Sequence, residues 1–183
     1  MARANVKHLG FSEAPQAGFV SGGATMLDTT RFAPANRKRL SAPALRTFLA
    51  IADLWGLNEE QRRLVLGYPS RSTYHNWARI AREHGSMTLD VDTLTRLSAV
   101  FGIHQALGVL FESEAEGVEW LTDPHDAPVF GGQPPMALVA SGTLDGLMTV
   151  RRFLDAARGG LYMPPNAIDM DFAPLADAEI VWR

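Results

Sequence analysis

The sequence predicts an all-α protein, and three observations carry that expectation. Apolar residues recur at helical spacing in successive segments, residues suited to cap a helix precede most of those segments, and no stretch alternates apolar and polar residues as a half-buried strand would. The pattern divides the chain into a helix-turn-helix domain over 41–109 and a small helical domain over 110–161. A flexible basic arm over 1–40 and an acidic tail over 162–183 complete it.

Residues 1–40 show no sustained period, are rich in Gly, Ala, Pro and Ser, and close on Arg37-Lys38-Arg39. They read as a poorly ordered or loosely docked arm. The first clear element begins after Ser41 and Pro43, where Leu45, Phe48, Leu49, Ala52 and Trp55 draw one apolar helix face that Gly56 ends. Asn58, with Gln61 three residues on, predicts a capping box for a short helix carrying Leu64, Val65 and Leu66. Gly67-Tyr68-Pro69 breaks that helix, because glycine permits unusual dihedrals and proline disfavours helix in the residue before it.

Ser70 then caps a third helix. Its apolar stripe is Tyr74, Trp77, Ala78 and Ala81, while Arg71, His75, Arg79 and Arg82 form a second stripe on another face. A fourth helix starts near Asp90 or Asp92 with Leu94, Leu97 and Phe101, is interrupted at Gly102, and resumes with Leu107, Leu110 and Phe111. Ser113 and Glu116 predict a capping box for a short helix through Trp120-Leu121. Turn residues fill the loop from Thr122 to Gly132, Pro134-Pro135 opens another short helix, and Gly142 ends it. Thr143 caps the last long helix, whose inner face is Leu144, Leu147, Val150 and Leu154 and which stops at Gly159-Gly160.

Composition limits what such a protein does. No run of residues approaches the length of apolar sequence a membrane span requires, and the N-terminus lacks the apolar core of a secretory signal. With no cysteine there is no thiolate nucleophile, disulfide or Cys-based zinc site. A cytoplasmic protein is the expectation. The net charge of −3 conceals an asymmetry, since residues 1–40 carry six basic side chains against Glu13 and Asp28. Residues from Leu110 onward carry twelve acids against Arg151, Arg152, Arg158 and Arg183. A basic front suits phosphate, and an acidic back suits a protein or a positively charged cleft.

The segment with most chemistry is the pair of helices around Gly67-Tyr68-Pro69. A short helix, a tight turn and a capped second helix with polar residues at its start is the arrangement of a helix-turn-helix, which sets its second helix into the major groove. Arg71, Ser72, His75 and Asn76 are the candidate base readers, since arginine pairs with guanine and asparagine with adenine. Arg79 and Arg82 are candidate phosphate contacts. Many paired helices carry a basic solvated face, so this pattern alone does not decide the matter. Recognition of paired half-sites by such a motif calls for a dimer.

From about Thr88 to Leu161 the sequence resembles the toxin-binding domain of Xre/MbcA/ParS-type antitoxins. The resemblance rests on Leu89-Asp90, Leu94, Arg96-Leu97, Val100-Phe101-Gly102-Ile103, Phe111 and Glu119-Trp120-Leu121. It continues through Phe130-Gly131-Gly132-Gln133-Pro134-Pro135, Ala137-Leu138, Gly142, Val150, Leu154 and Gly159, and it is the ordered combination that is specific. It implies a RES-domain toxin as partner, an NAD⁺-consuming enzyme or ADP-ribosyltransferase whose cleft the antitoxin's C-terminal region covers. It also implies operator DNA as a second partner; with the dimer that half-site recognition calls for, the expectation is a homodimer within a toxin–antitoxin hetero-oligomer. Carried onto this chain, the covering residues are Arg151, Arg152, Leu154, Arg158, Gly159, Gly160, Leu161 and Tyr162. The acidic tail, with Asp169, Asp171, Asp177 and Glu179, reads either as a partner for arginines that would otherwise hold cofactor phosphates or as a solvated tail with no partner.

Other features have plainer readings. Trp55, Trp77 and Trp120 sit among apolar neighbours and are expected in the core, whereas Trp182 docks on the body or meets a partner. Phe130-Gly131-Gly132 lacks the strand, spacing and lysine of a phosphate loop and reads as a turn. His8, His75, His84, His104 and His125 are scattered, with no metal-ligand spacing, and no paired carboxylates stand out. A binding protein without catalytic residues, metal or cofactor is therefore expected. The alternative is a transcriptional regulator whose C-terminal helices only dimerise or sense a ligand.

Overall fold

The computed structural model describes Thr30 and residues 33–159. These hold seven helices and no strand. In chain order they are α1 (Pro34–Leu54), α2 (Glu59–Val65), α3 (Arg71–Arg82), α4 (Val91–Leu110), α5 (Glu114–Thr122), α6 (Pro135–Val139) and α7 (Leu144–Arg158). Among the described residues no single helix is long and apolar enough to cross a membrane.

The first helix starts earlier than the sequence suggests. Residues 34–40, expected in the arm, form the opening turns of α1, with Pro34 at its first position, where a missing N–H costs nothing. Pro43, which reads as a helix start, lies inside the helix. Two contacts to the approach to α4 hold the polar opening turns in place. Arg37 donates to the Leu89 carbonyl at 3.3 Å, and the buried Ser41 hydroxyl accepts from the Leu89 N–H at 2.8 Å. Beyond them Leu45, Phe48, Leu49, Ala52 and Trp55 are buried as expected.

The caps follow the local sequence closely. Asn58 and Gln61 exchange reciprocal hydrogen bonds of 2.9 Å, and Ser70, Asp90 and Thr143 each accept from the N–H three residues on. At α5 the box is shifted. Ser113 accepts from the Glu116 N–H, but the Glu116 carboxylate takes the N–H of Glu112 instead of that of Ser113.

The second correction concerns Gly102. α4 runs through it without a break, and its missing side chain makes room for the Arg151 guanidinium, 2.7 Å from where a Cβ would stand. Arg151 donates from there to the Ser98 carbonyl at 3.1 Å, so the glycine is a packing notch between α4 and α7. At about 30 Å long, α4 is the axis of the molecule. It packs on α1 along one side and on α5 and α7 along others, so one apolar core continues from Phe48 and Leu66 through Val100 and Ile103 to Leu147 and Leu154.

Candidate functional sites

The turn between α2 and α3 is held by one arginine. Gly67 and Tyr68 both adopt left-handed backbone, at φ 89° and 62°. For a tyrosine that conformation costs about 1–2 kcal/mol. Arg63, only 7% exposed, offsets it by donating to the Pro69 carbonyl at 2.8 Å and to Glu60 at 2.8 Å. Its guanidinium also stacks 4.4 Å from the Tyr68 ring, while the Tyr68 hydroxyl donates to Glu60 at 2.7 Å. Arg62 braces the other end of α2, donating to the Leu57 carbonyl and to Asp53, both at 2.7 Å. Burial works against its charge, but the bonds to Asp53 and Tyr74 outweigh that and raise its pKa further.

On this frame α3 buries Tyr74, Ala78 and Ala81 and leaves Trp77 half-buried. All six candidate DNA-contacting residues, Arg71, Ser72, His75, Asn76, Arg79 and Arg82, are exposed. Most are engaged within the protein. Glu59, at the start of α2, lies 3.5 Å from Arg71 Nε and 3.3 Å from His75 Nε2. Arg79 bridges Glu83 at 2.7 Å and Asn76 at 3.1 Å, and the Ser72 hydroxyl lies 3.0 Å from that of Ser70. Arg82 makes no ion pair among the described residues and, with Arg62 and His75, borders a shallow hollow over Tyr74. Glu59 was missed from sequence: twelve residues before Arg71, it shares no helix period with the residues it meets.

The C-terminal residues divide between core and surface. Leu154 is 1% exposed and belongs to the core, so it holds α7 in place and is not open to a partner in the free protein. Arg151 is half-buried at the Gly102 notch and 3.5 Å from Asp155. Arg152 and Arg158 are exposed, with loose ion pairs of 3.9 Å to Asp145 and 3.7 Å to Asp155, and Gly159 caps the helix. Gly160, Leu161 and Tyr162, like the tail acids and Trp182, lie outside the described residues.

Beside α7 the loop after α5 folds over an aromatic cluster. Trp120 stacks on Phe153 with ring centres 5.9 Å apart, and Phe130 meets Phe153 edge-on at 4.9 Å. His125 packs against Trp120, Phe130 and Phe153, and its Nδ1 accepts from the Ala127 N–H. Gly131 and Gly132, both with positive φ, shape the turn that sinks Phe130 and leaves Val129 46% exposed. Val129, Pro128, Thr149, Arg152 and Ala156 line an open groove along the outer face of α7. No group of three or more His, Cys, Asp or Glu side chains among the described residues is placed to hold a metal ion.

Comparison with known proteins assigns both regions. Residues 34–102 match the antitoxin Xre-like helix-turn-helix domain, and residues 106–160 match the antitoxin Xre/MbcA/ParS C-terminal toxin-binding domain. The chain belongs to the Xre/MbcA/ParS antitoxins. The uncharacterized protein y4oB of Sinorhizobium fredii (strain NBRC 101917 / NGR234) is 35% identical over 116 residues, covering 63% of this chain and 84% of its own. In this antitoxin, α1 to α3 and most of α4 lie within the helix-turn-helix match, and the end of α4 with α5 to α7 and the aromatic loop lies within the toxin-binding match. The helix-turn-helix match begins at Pro34, the residue that opens α1.

Proposed function

We propose that this antitoxin neutralises a RES-type, NAD⁺-consuming toxin by covering its active site with the end of α7 and the residues that follow. In this reading it also represses its own operon in the cytoplasm by setting α3 into operator DNA, as a homodimer within a toxin–antitoxin complex. One observation carries the proposal. A single chain joins an exposed polar α3 face to a domain matched to toxin binding, whose last helix and cap leave Arg152, Arg158 and Gly159 exposed. The RES identity of the partner is supported by the sequence resemblance.

The experiment is co-expression with the product of the neighbouring gene, followed by co-purification and measurement of cellular NAD⁺. A stable complex, with NAD⁺ lost only when the antitoxin is omitted, is the expected result. Absence of both complex and rescue leaves a helix-turn-helix regulator. Within that assay, a chain ending at Ala157 is expected to stay folded and bind DNA but neutralise poorly. Arg71→Ala and Asn76→Ala are expected to weaken operator binding and leave neutralisation intact.

A further inference from the structure

The α3 face holds fewer available charges than its sequence suggests, and one of the acids responsible comes from a different helix. Glu83, which caps the end of α3, pairs with Arg79 at i, i+4, an ordinary helix-surface pair. Glu59 reaches across from α2 and places its two carboxylate oxygens on Arg71 Nε and His75 Nε2. All three side chains are open to solvent, 40% exposed for Glu59, 75% for Arg71 and 62% for His75. Polar contacts this exposed are weak and exchange readily. In a helix-turn-helix docked on DNA the first helix crosses the backbone while the start of the second meets base edges. That geometry sets a carboxylate on α2 beside phosphate.

We propose that Glu59 is an internal competitor for DNA, holding Arg71 and His75 in the free protein and thereby limiting the affinity with which α3 enters the groove. The inference rests on the DNA-binding reading above. On binding, Arg71 exchanges the Glu59 carboxylate for a phosphate or a base edge, and the displaced carboxylate is left facing the backbone. The interface then gathers less positive charge than its basic residues supply and releases fewer counterions.

The test uses the full chain and a fluorescent duplex of the DNA upstream of its own reading frame, titrated over a range of salt concentrations. Glu59→Gln keeps the shape of the side chain and removes its charge. It is expected to tighten binding roughly three- to tenfold and to steepen the log–log salt dependence by about one unit. Glu119→Gln on α5 makes the same change in net charge and is expected to leave affinity within about twofold of wild type. In an Arg71→Ala background, the gain from Glu59→Gln is expected to shrink to the part that acts through His75.

A Glu59→Gln protein that folds normally and binds no tighter than wild type overturns the proposal while leaving the DNA-binding reading intact. So does an equal gain from Glu119→Gln, which makes the effect one of net charge. So does a lowered unfolding midpoint with unchanged affinity, which makes Glu59 a helix-start acid only. If wild type and Glu59→Gln both ignore DNA at low salt, the DNA-binding reading falls and the competitor role falls with it.

Discussion

The two ends of α4 are braced by different chemistry. Around the helix-turn-helix, arginines do the work of tying elements together. Arg37, Arg46, Arg62, Arg63 and Arg96 each donate to a backbone carbonyl, of Leu89, Ala81, Leu57, Pro69 and Gly142 respectively. In the toxin-binding half the corresponding place is taken by packed rings, those of Trp120, His125, Phe130 and Phe153. The difference teaches that a count of basic residues overstates the charge offered to a partner. Of the seven arginines between 41 and 109, Arg46, Arg62, Arg63 and Arg96 are committed to the fold. Only Arg71, Arg79 and Arg82 remain on α3, and two of those face acids.

The largest effect is expected from breaking the aromatic brace. Phe130 is 5% exposed, and Phe130→Ala removes its ring from between His125 and Phe153. Truncating a buried phenylalanine costs about 3–5 kcal/mol. Because α4 crosses both halves, urea unfolding followed by tryptophan fluorescence and by far-ultraviolet circular dichroism is expected to show one shifted transition. Two separate transitions would mean that the halves are independent units.

Arg96→Met tests the opposite brace, with an intermediate effect. Arg96 is 9% exposed and spans from Asp92, at 2.6 Å, to the Gly142 carbonyl, at 2.9 Å, linking α4 to the turn before α7. Methionine fills part of the space but leaves that carbonyl without its donor, for a cost of about 1–3 kcal/mol. Equal stability of variant and wild type would show that water replaces the guanidinium there.

Asn58→Ala, which removes a helix cap at the entry to α2, is expected to cost about 1 kcal/mol. That cap was legible in the sequence, as were those at Ser70 and Thr143, because each is decided by residues three apart on the same strand of chain; at α4 the sequence left Asp90 and Asp92 open, and the cap is Asp90. The start of α1 was not, since Pro34 and the polar residues after it are fixed by Arg37 and Ser41 reaching Leu89, about fifty positions away. Gly102 misled for the same reason: its neighbour Arg151 is visible only in the folded protein. Among the site residues, the exposed stripe of α3 could be read from helical periodicity. Its occupant Glu59 could not, because the contact depends on the angle between two helices. Leu154 could be placed in the core from its own spacing, and that placement outweighs the surface role implied by resemblance.

The smallest effect on the fold is expected at Arg152, and it separates a residue kept for a partner from one kept for the structure. Arg151 and Arg152 are adjacent in sequence, yet α7 turns them to different surroundings. Arg151 fills the Gly102 notch and bonds Ser98. Arg152 stands in solvent, its side chain 67% exposed, and among the described residues its only ion pair is a 3.9 Å approach to an Asp145 that is itself 87% exposed. An ion pair so long and so exposed contributes little, so Arg152→Ala is expected to shift stability by less than about 0.5 kcal/mol. Arg151→Ala is expected to lower it measurably, because the Ser98 carbonyl loses a donor and the notch is left empty. If α7 meets the toxin with its outer face, the ranking reverses in a competition assay for toxin capture: Arg152→Ala loosens the complex more than its stability change explains. Should the two variants rank in the same order in both assays, the outer face of α7 is solvated surface, and the contact lies beyond the end of that helix.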